Sequence, residues 1–224
     1  MQLPARPLSA RSNLRDEVAS TIREGIFSGA LRPGDKIDQD AIAAQLGVSK
    51  LPVRESLIAL ESEGLVETLA RRGAFVAPLT ADDFLDHYRM FGLITAIAVE
   101  RAAKSITPEQ LAHMESLLVR MEAWTERDSG ADSERLNFQF HRVAHAAGGT
   151  RRLKAELRSL SKAMPENLYH RTRGWTPAAQ QEHRHILEAL MRGDGESAAA
   201  AQRGHVDAGA IGVIDMLRAN GFWD

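Results

Sequence analysis

The sequence predicts a mainly α protein, with an N-terminal winged helix-turn-helix followed by an all-α six-helix bundle. Three observations predict it. Apolar residues recur at helical spacing through most of the chain. Two short β-patterned runs, 65–69 and 74–77, bracket a hairpin at Ala70-Arg71-Arg72-Gly73. After Ala81 no strand pattern is found.

In chain order, Leu14, Val18, Ile22 and Ile26 form one apolar stripe, which predicts a helix over 13–28. Gly29 ends it, and Leu31-Arg32-Pro33-Gly34 reads as a turn. Asp38 is the expected N-cap of a second helix, with Ile42 and Leu46 facing inward and Gly47 closing it. Ser49 is the expected N-cap of a third. Val48 and Val53 stand at the positions of a hydrophobic staple, and Pro52 falls in the first turn, where its missing N–H costs little. Leu57 and Leu60 continue the inner face, and Gly64 stops the helix. The hairpin follows, with Gly73 expected at the position of positive φ. Helices are then predicted over about 81–104, 107–127, 132–147, 150–172, 177–192 and 195–219. This gives a first domain over 12–78, a linker at 79–82, and a helical domain over 83–219.

Bulk properties limit the function classes. With 224 residues, 44% apolar and 26% charged, the chain has a globular composition and can bury a real core. It contains no cysteine, which excludes disulfides and thiolate metal sites and suits the cytoplasm. No uncharged apolar run reaches 18 residues, so no membrane span is expected. Met1–Ser12 lacks the apolar segment of a signal peptide and reads as a short disordered arm. Net charge is -2 overall, and residues 1–79 carry ten Lys/Arg against ten Asp/Glu. Any claim of nucleic-acid binding therefore rests on where the charges sit.

Their placement fits a DNA reader. A recognition helix enters the major groove N-terminus first, so its first turn should carry donors. Lys50 and Arg54 lie four apart on one face of the third helix, while Glu61 and Glu63 sit at its far end and Glu55 lies about 100° around from Arg54. Arg54 is suited to a bidentate guanine contact. Ser49, Lys50 and the helix N-terminus are suited to phosphates. Arg71, Arg72 and Gly73 at the hairpin tip are suited to the minor groove or the backbone. Charge spacing alone leaves these cations equally readable as a solvated surface.

A denser pattern decides between the two readings. The run "LGVSKLPVRESLIALESEGLVE", together with Ile26, Gly29, Leu31, Pro33-Gly34, Ala43, Gly73 and Val76, closely resembles the DNA-binding domain of the GntR family of bacterial regulators over 13–79. Lys50 departs from the usual arginine. It keeps the charge and loses the bidentate fork. The stretches "FQFHRVAHAAGG", "EHRHILEAL" and "GDGESAAAAQRGHV" resemble the FCD effector domain of the FadR-like subgroup over about 82–215, and the count of six helices points to its VanR-like branch.

The resemblance implies a double-stranded operator as partner, a homodimer with twofold reading of a palindrome, and a repressor released by ligand, as most relatives are. Ala96, Ala98, Ala102 and Ala103 are expected to pack inside the bundle or across the dimer. It also implies a divalent metal, zinc or nickel, held by His141, His183 and His205, with Asn137 at the position where relatives carry a carboxylate. Asn137 and His141 are i, i+4 and share a helix face; the neutral amide is the weaker ligand. His145 and His185 do not match ligand positions. The implied effector is a small organic acid. Phe91 and Thr95 stand where relatives often have Arg and Glu, so Arg89, Tyr88 and Tyr169 are the candidate effector contacts, with Arg173 and Trp175 nearby in sequence. A metal-dependent enzyme and a pure metal sensor are the alternatives. Against the enzyme, there is no phosphate loop or nucleophile motif, and Glu182 adjoins His183 but lies off its face.

Overall fold

The computed structural model describes residues 14–123, 130–164 and 177–223. They fall into two units. The first takes 14–81, 163–164 and 215–223; the second takes 82–123, 130–162 and 177–214.

In the first unit, α1 (Leu14–Phe27) buries Val18, Ile22, Ile26 and Phe27. A two-residue strand β1 (Lys36–Ile37) follows, then α2 (Gln39–Leu46) and α3 (Lys50–Ser62). Asp38 caps α2 as its spacing predicted, accepting from the Asp40 and Ala41 backbone N–H groups. Gly47 closes the helix in the left-handed region, φ 66°, where a Cβ would be strained. The wing is β2 (Val66–Leu69) and β3 (Gly73–Val76), antiparallel, with Leu69 opposite Gly73. Sequence reading missed β1, which pairs with β3 through Lys36 and Phe75 and completes a sheet of order β1-β3-β2. Two residues carry too little alternation to signal a strand; the pairing is imposed by tertiary contact. The hairpin forms as expected, with Gly73 at positive φ. Arg71 takes positive φ (61°) as well as Gly73 (102°), which is costly for a residue with a side chain.

α3 is held from both ends of its inner face. Val53, Ser56, Leu57 and Leu60 are buried, and the Ser56 hydroxyl is satisfied by the Val53 carbonyl at 2.7 Å. At the C-terminal end, Arg23 of α1 grips the Glu63 carboxylate through two nitrogens, Nη2 at 2.7 Å and Nε at 3.2 Å from Oε2. Both side chains are largely removed from water, at 8% and 19% exposure. The end of the chain belongs to this unit too. Phe222 is buried, and the Trp223 indole N–H donates to the Leu79 carbonyl at 2.9 Å.

The second unit consists, among the described residues, of six helices: α4 (Ala81–Ala102), α5 (Pro108–Glu122), α6 (Gly130–Gly148), α7 (Arg151–Lys162), α8 (Pro177–Met191) and α9 (Gly195–Ala219), the last running on into the first unit. α5 opens with a capping box between Thr107 and Gln110 and has Pro108 in its first turn. It ends at Glu122 and α7 ends at Lys162; the rest of the two expected spans, 124–127 and 165–172, lies outside the described residues. The core joins Val99 and Ala102 of α4 to Met114, Leu117, Leu118 and Met121 of α5, Leu136 and Phe140 of α6, and Ile186, Leu187 and Leu190 of α8. Ala96, Ala98 and Ala102 lie inside the bundle, at 2% exposure or less. Gly148 lets α6 approach α4 so closely that an added Cβ would overlap the Ala98 carbonyl.

Two outcomes are expected. Arg23→Ala leaves Glu63 without its partner and should cost about 3–5 kcal/mol, read from chemical denaturation of the full chain. Arg23→Met combined with Glu63→Leu should recover most of that loss, because breaking such a pair costs more than replacing it with apolar groups.

Candidate functional site

Two sites were expected, one in each unit. On the first, α3 turns roughly half its circumference inward, leaving Lys50, Leu51, Arg54, Glu55 and Ile58 exposed. Ser49 is the N-cap in extended geometry, but its hydroxyl makes no capping hydrogen bond. It and the first-turn N–H groups of α3 are thus left to an external acceptor. Lys50 is not a lone cation. Its ammonium lies 2.6 Å from Asp40 of α2, both well exposed. Such surface pairs are worth about 0–1 kcal/mol, so a phosphate competes readily for Lys50. Arg54 is exposed and has no ion pair among the described residues. At the wing tip Arg71 is exposed, and the Arg72 guanidinium stacks over the Phe75 ring, 5.5 Å from its centre. Gly73 is half-buried and opens β3.

In the second unit α6, α8 and α9 bring His141, His183 and His205 together, three residues 42 and 64 positions apart in sequence. Their Nε2 atoms face one another. His141 Nε2 is 3.2 Å from that of His183 and 3.2 Å from that of His205. The Asn137 amide oxygen, from the turn before His141, lies 2.8 Å from His183 Nε2. Imidazole nitrogens on a tetrahedral zinc, bonded at about 2.0–2.1 Å, must stand roughly 3.3–3.4 Å apart. The 3.2 Å separations of His141 Nε2 from His183 and His205 fit such an ion, and the three histidines satisfy the distance condition for a shared ligand set; the Asn137 oxygen stands at hydrogen-bond distance from His183, closer than two ligands of one ion.

The protonation state fits as well. Burial, then the neighbouring His205 and His183, hold His141 well below an ordinary imidazole. Burial and then His205 do the same to His183. Neutral imidazoles are what a metal ion requires. Orientation comes from a second layer. The Glu182 carboxylate accepts from His205 Nδ1 at 2.9 Å, which fixes the tautomer with Nε2 free to bind. Ala179 holds His183 from one turn back. Gln202 is buried beside His141, while its Oε1 lacks a partner of good geometry. Phe140 closes the floor edge-on, with its ring centre 5.1 Å from that of His183.

Sequence reasoning missed Glu182. It does lie off the face of His183, as expected, but its partner is on a different helix. Gln202, i−3 from His205 on α9, carried a helical-spacing signal that went unread. His145 stacks on His141 with ring centres 5.9 Å apart and contributes no ring nitrogen to the triad.

Of the expected effector contacts, the structure describes Arg89 and Tyr88. Arg89 is exposed and paired with Asp86 at 3.3 Å. Tyr88 is buried in the bundle. Tyr169, with Arg173 and Trp175, lies outside the described residues. Thr95 is fully buried and spends its hydroxyl on the Phe91 and Gly92 carbonyls.

Comparison with known proteins gives two family matches. Residues 14–76 match the model "Bacterial regulatory proteins, gntR family", and residues 86–208 match the FCD domain. An uncharacterized HTH-type transcriptional regulator of Mycobacterium tuberculosis is 32% identical over 151 residues, 67% of this chain and 61% of its own length. The chain thus spans under two thirds of that relative. The Nta operon transcriptional regulator of Aminobacter aminovorans is 26% identical, covering 84% of this chain and 88% of its own. A crystal structure of a GntR family member from Pseudomonas syringae superposes with a TM-score of 0.57 at 27% identity, covering 92% and 86% of the two chains.

The buried histidines generate a prediction about acid. Burial holds His145 at about 4, down from 6.5, and lowers His141 and His183 in the same direction. A group with a depressed folded value binds its proton more readily when unfolded, so stability is present above about 6.5 and is lost as pH falls toward 4. Denaturant midpoints should drop between pH 7 and pH 5, and His145→Gln should shrink that drop.

Proposed function

Because this chain belongs to the GntR family of bacterial regulatory proteins and carries an FCD domain behind its winged helix, we propose that it is a repressor whose grip on operator DNA is set by a metal-anchored organic acid. The family makes it a transcription regulator rather than an enzyme. The winged helix-turn-helix supplies DNA binding. The observation that carries the reading is the outward arc of α3. Its N-terminus, the uncommitted Ser49 hydroxyl and the exposed Arg54 present donors where a recognition helix meets the major groove.

Arg54 reads a guanine edge, Lys50 and Ser49 hold phosphates, and Arg71 and Arg72 brace the wing against the duplex. A single winged helix makes few contacts, so a homodimer reading two half-sites supplies affinity and register. Action on chromosomal DNA supports a cytoplasmic location. In the FCD domain, His141, His183, His205 and Asn137 would hold zinc or nickel, which supplies a Lewis-acidic point of attachment for a carboxylate. Glu182, hydrogen-bonded to His205 Nδ1, would keep the His205 Nε2 available to the ion. The acid controls DNA affinity only so far as it binds one arrangement of the dimer better than another.

Arg54→Ala should weaken binding to the preferred duplex by about 1–3 kcal/mol and relax selection at one base pair of each half-site. Fluorescence anisotropy with labelled duplexes measures both; unchanged affinity would remove Arg54 from the interface. Zinc added to the metal-free full chain should raise its melting temperature, since 100-fold excess over Kd contributes about 2.7 kcal/mol. Glu182→Gln should weaken zinc binding about 10–100-fold in calorimetry without removing a ligand. No zinc-dependent shift at neutral pH would sink the metal assignment.

A further inference from the structure

The DNA-facing arc of α3 is not purely polar. Leu51 and Ile58 are each 64% exposed, the most exposed of the large apolar side chains in the described structure. At about 100° per residue, they fall near the middle of the outward arc, with Lys50 and Glu55 at its margins. Arg54 lies between them, three residues after Leu51 and four before Ile58, hence adjacent to both on the helix surface. Nothing in the fold requires an apolar side chain at 51. The buried arc is already filled by Pro52, Val53, Ser56, Leu57 and Leu60.

Isolated exposed apolar residues are ordinary. One beside the only uncommitted cation of the recognition turn asks what it meets when the groove closes over it. Phosphates and base-edge donors or acceptors would be desolvated by Leu51 without return. The major groove offers one apolar group, the 5-methyl of thymine. Leu51 and Arg54 are separated along the helix axis by about 4.5 Å, close to the roughly 3.4 Å rise between successive bases on a strand. A guanine gripped by Arg54 therefore places Leu51 over a neighbouring base step.

We propose that Leu51 is a specificity-determining residue that reads a thymine methyl next to the guanine contacted by Arg54. The inference rests on the DNA-reading role of α3 and adds to it the identity of a base and the atom recognised. Ile58 sits two turns further from the entering end, about 10 Å along the axis from Leu51, and belongs to the rim of the contact.

The test uses the full-length chain. A random-sequence duplex library is selected for tight binding, and each thymine of the winning duplex is then replaced singly by deoxyuridine, which removes the methyl and keeps the pairing. Burying one methyl group corresponds to about a fourfold change in affinity. One thymine per half-site should show that loss with the wild-type chain. Leu51→Ala should bind the thymine duplex about fourfold more weakly, show no further loss with deoxyuridine there, and keep its salt dependence and melting temperature. Ile58→Ala should retain the deoxyuridine penalty. The proposal is overturned if deoxyuridine is tolerated at every position, if the penalty survives in Leu51→Ala, if it vanishes in Ile58→Ala instead, or if Leu51→Ala changes the oligomeric state rather than base preference. Failure of the underlying DNA-reading role would look different: no duplex would be enriched at all.

Discussion

The division of α3 into a buried and an exposed arc is the constraint on which the functional account depends. Thirteen residues make a helix that must satisfy a core on one side and present chemistry on the other. Val53, Leu57 and Leu60 supply the apolar anchor, and the Arg23–Glu63 pair fixes the C-terminal end against α1. That ion pair is a geometric device more than a source of net stability, since taking two charges out of water offsets much of their attraction. With the helix held this way, the donor-rich first turn projects outward. A shift of one residue in the anchoring pattern would rotate Arg54 by about 100° and turn its guanidinium away from that face.

A similar economy governs the histidine centre. Each imidazole comes from a different helix, and each is aimed by something other than the ion it is suited to hold. Glu182 sets the tautomer of His205, Ala179 steadies His183, and Phe140 packs edge-on against two of the rings. Preorganisation of this kind lowers the entropy lost when a ligand set closes. Asn137 introduces the variable part. Its amide oxygen reaches His183 where the resemblance implies a carboxylate, so the centre lacks that negative charge.

Much of this was legible in the sequence because the relevant signals are local. Asp38 and Gly47 bracket α2 through capping chemistry that depends only on neighbours, and the stripe of Val18, Ile22 and Ile26 in α1 follows from the helical period. The family resemblance implied His141, His183, His205 and Asn137 as one set, and the fold brings these four side chains together. What escaped were interactions whose cause lies far along the chain. β1 exists because β3 offers a free edge. Lys50 is paired because α2 delivers Asp40 beside it. Glu182 matters because α9 brings His205 within reach. Arg71 adopts positive φ because the closure of the hairpin demands it, not because its side chain favours it. The effector contacts were not legible for a related reason. Arg89 was chosen for its charge, and charge says nothing about which side of α4 faces the bundle.

The central claim is that Arg54 recognises a base by its fork rather than by its charge. Arg54→Lys separates the two, since lysine keeps the charge and loses the bidentate geometry. The measurement is the ratio of affinities for a selected duplex and a scrambled one, taken across a salt series with the full-length chain. The account predicts that Arg54→Lys keeps the salt slope and weak scrambled-duplex binding, while its preference for the selected duplex falls about tenfold or more. An undiminished preference in Arg54→Lys would contradict it.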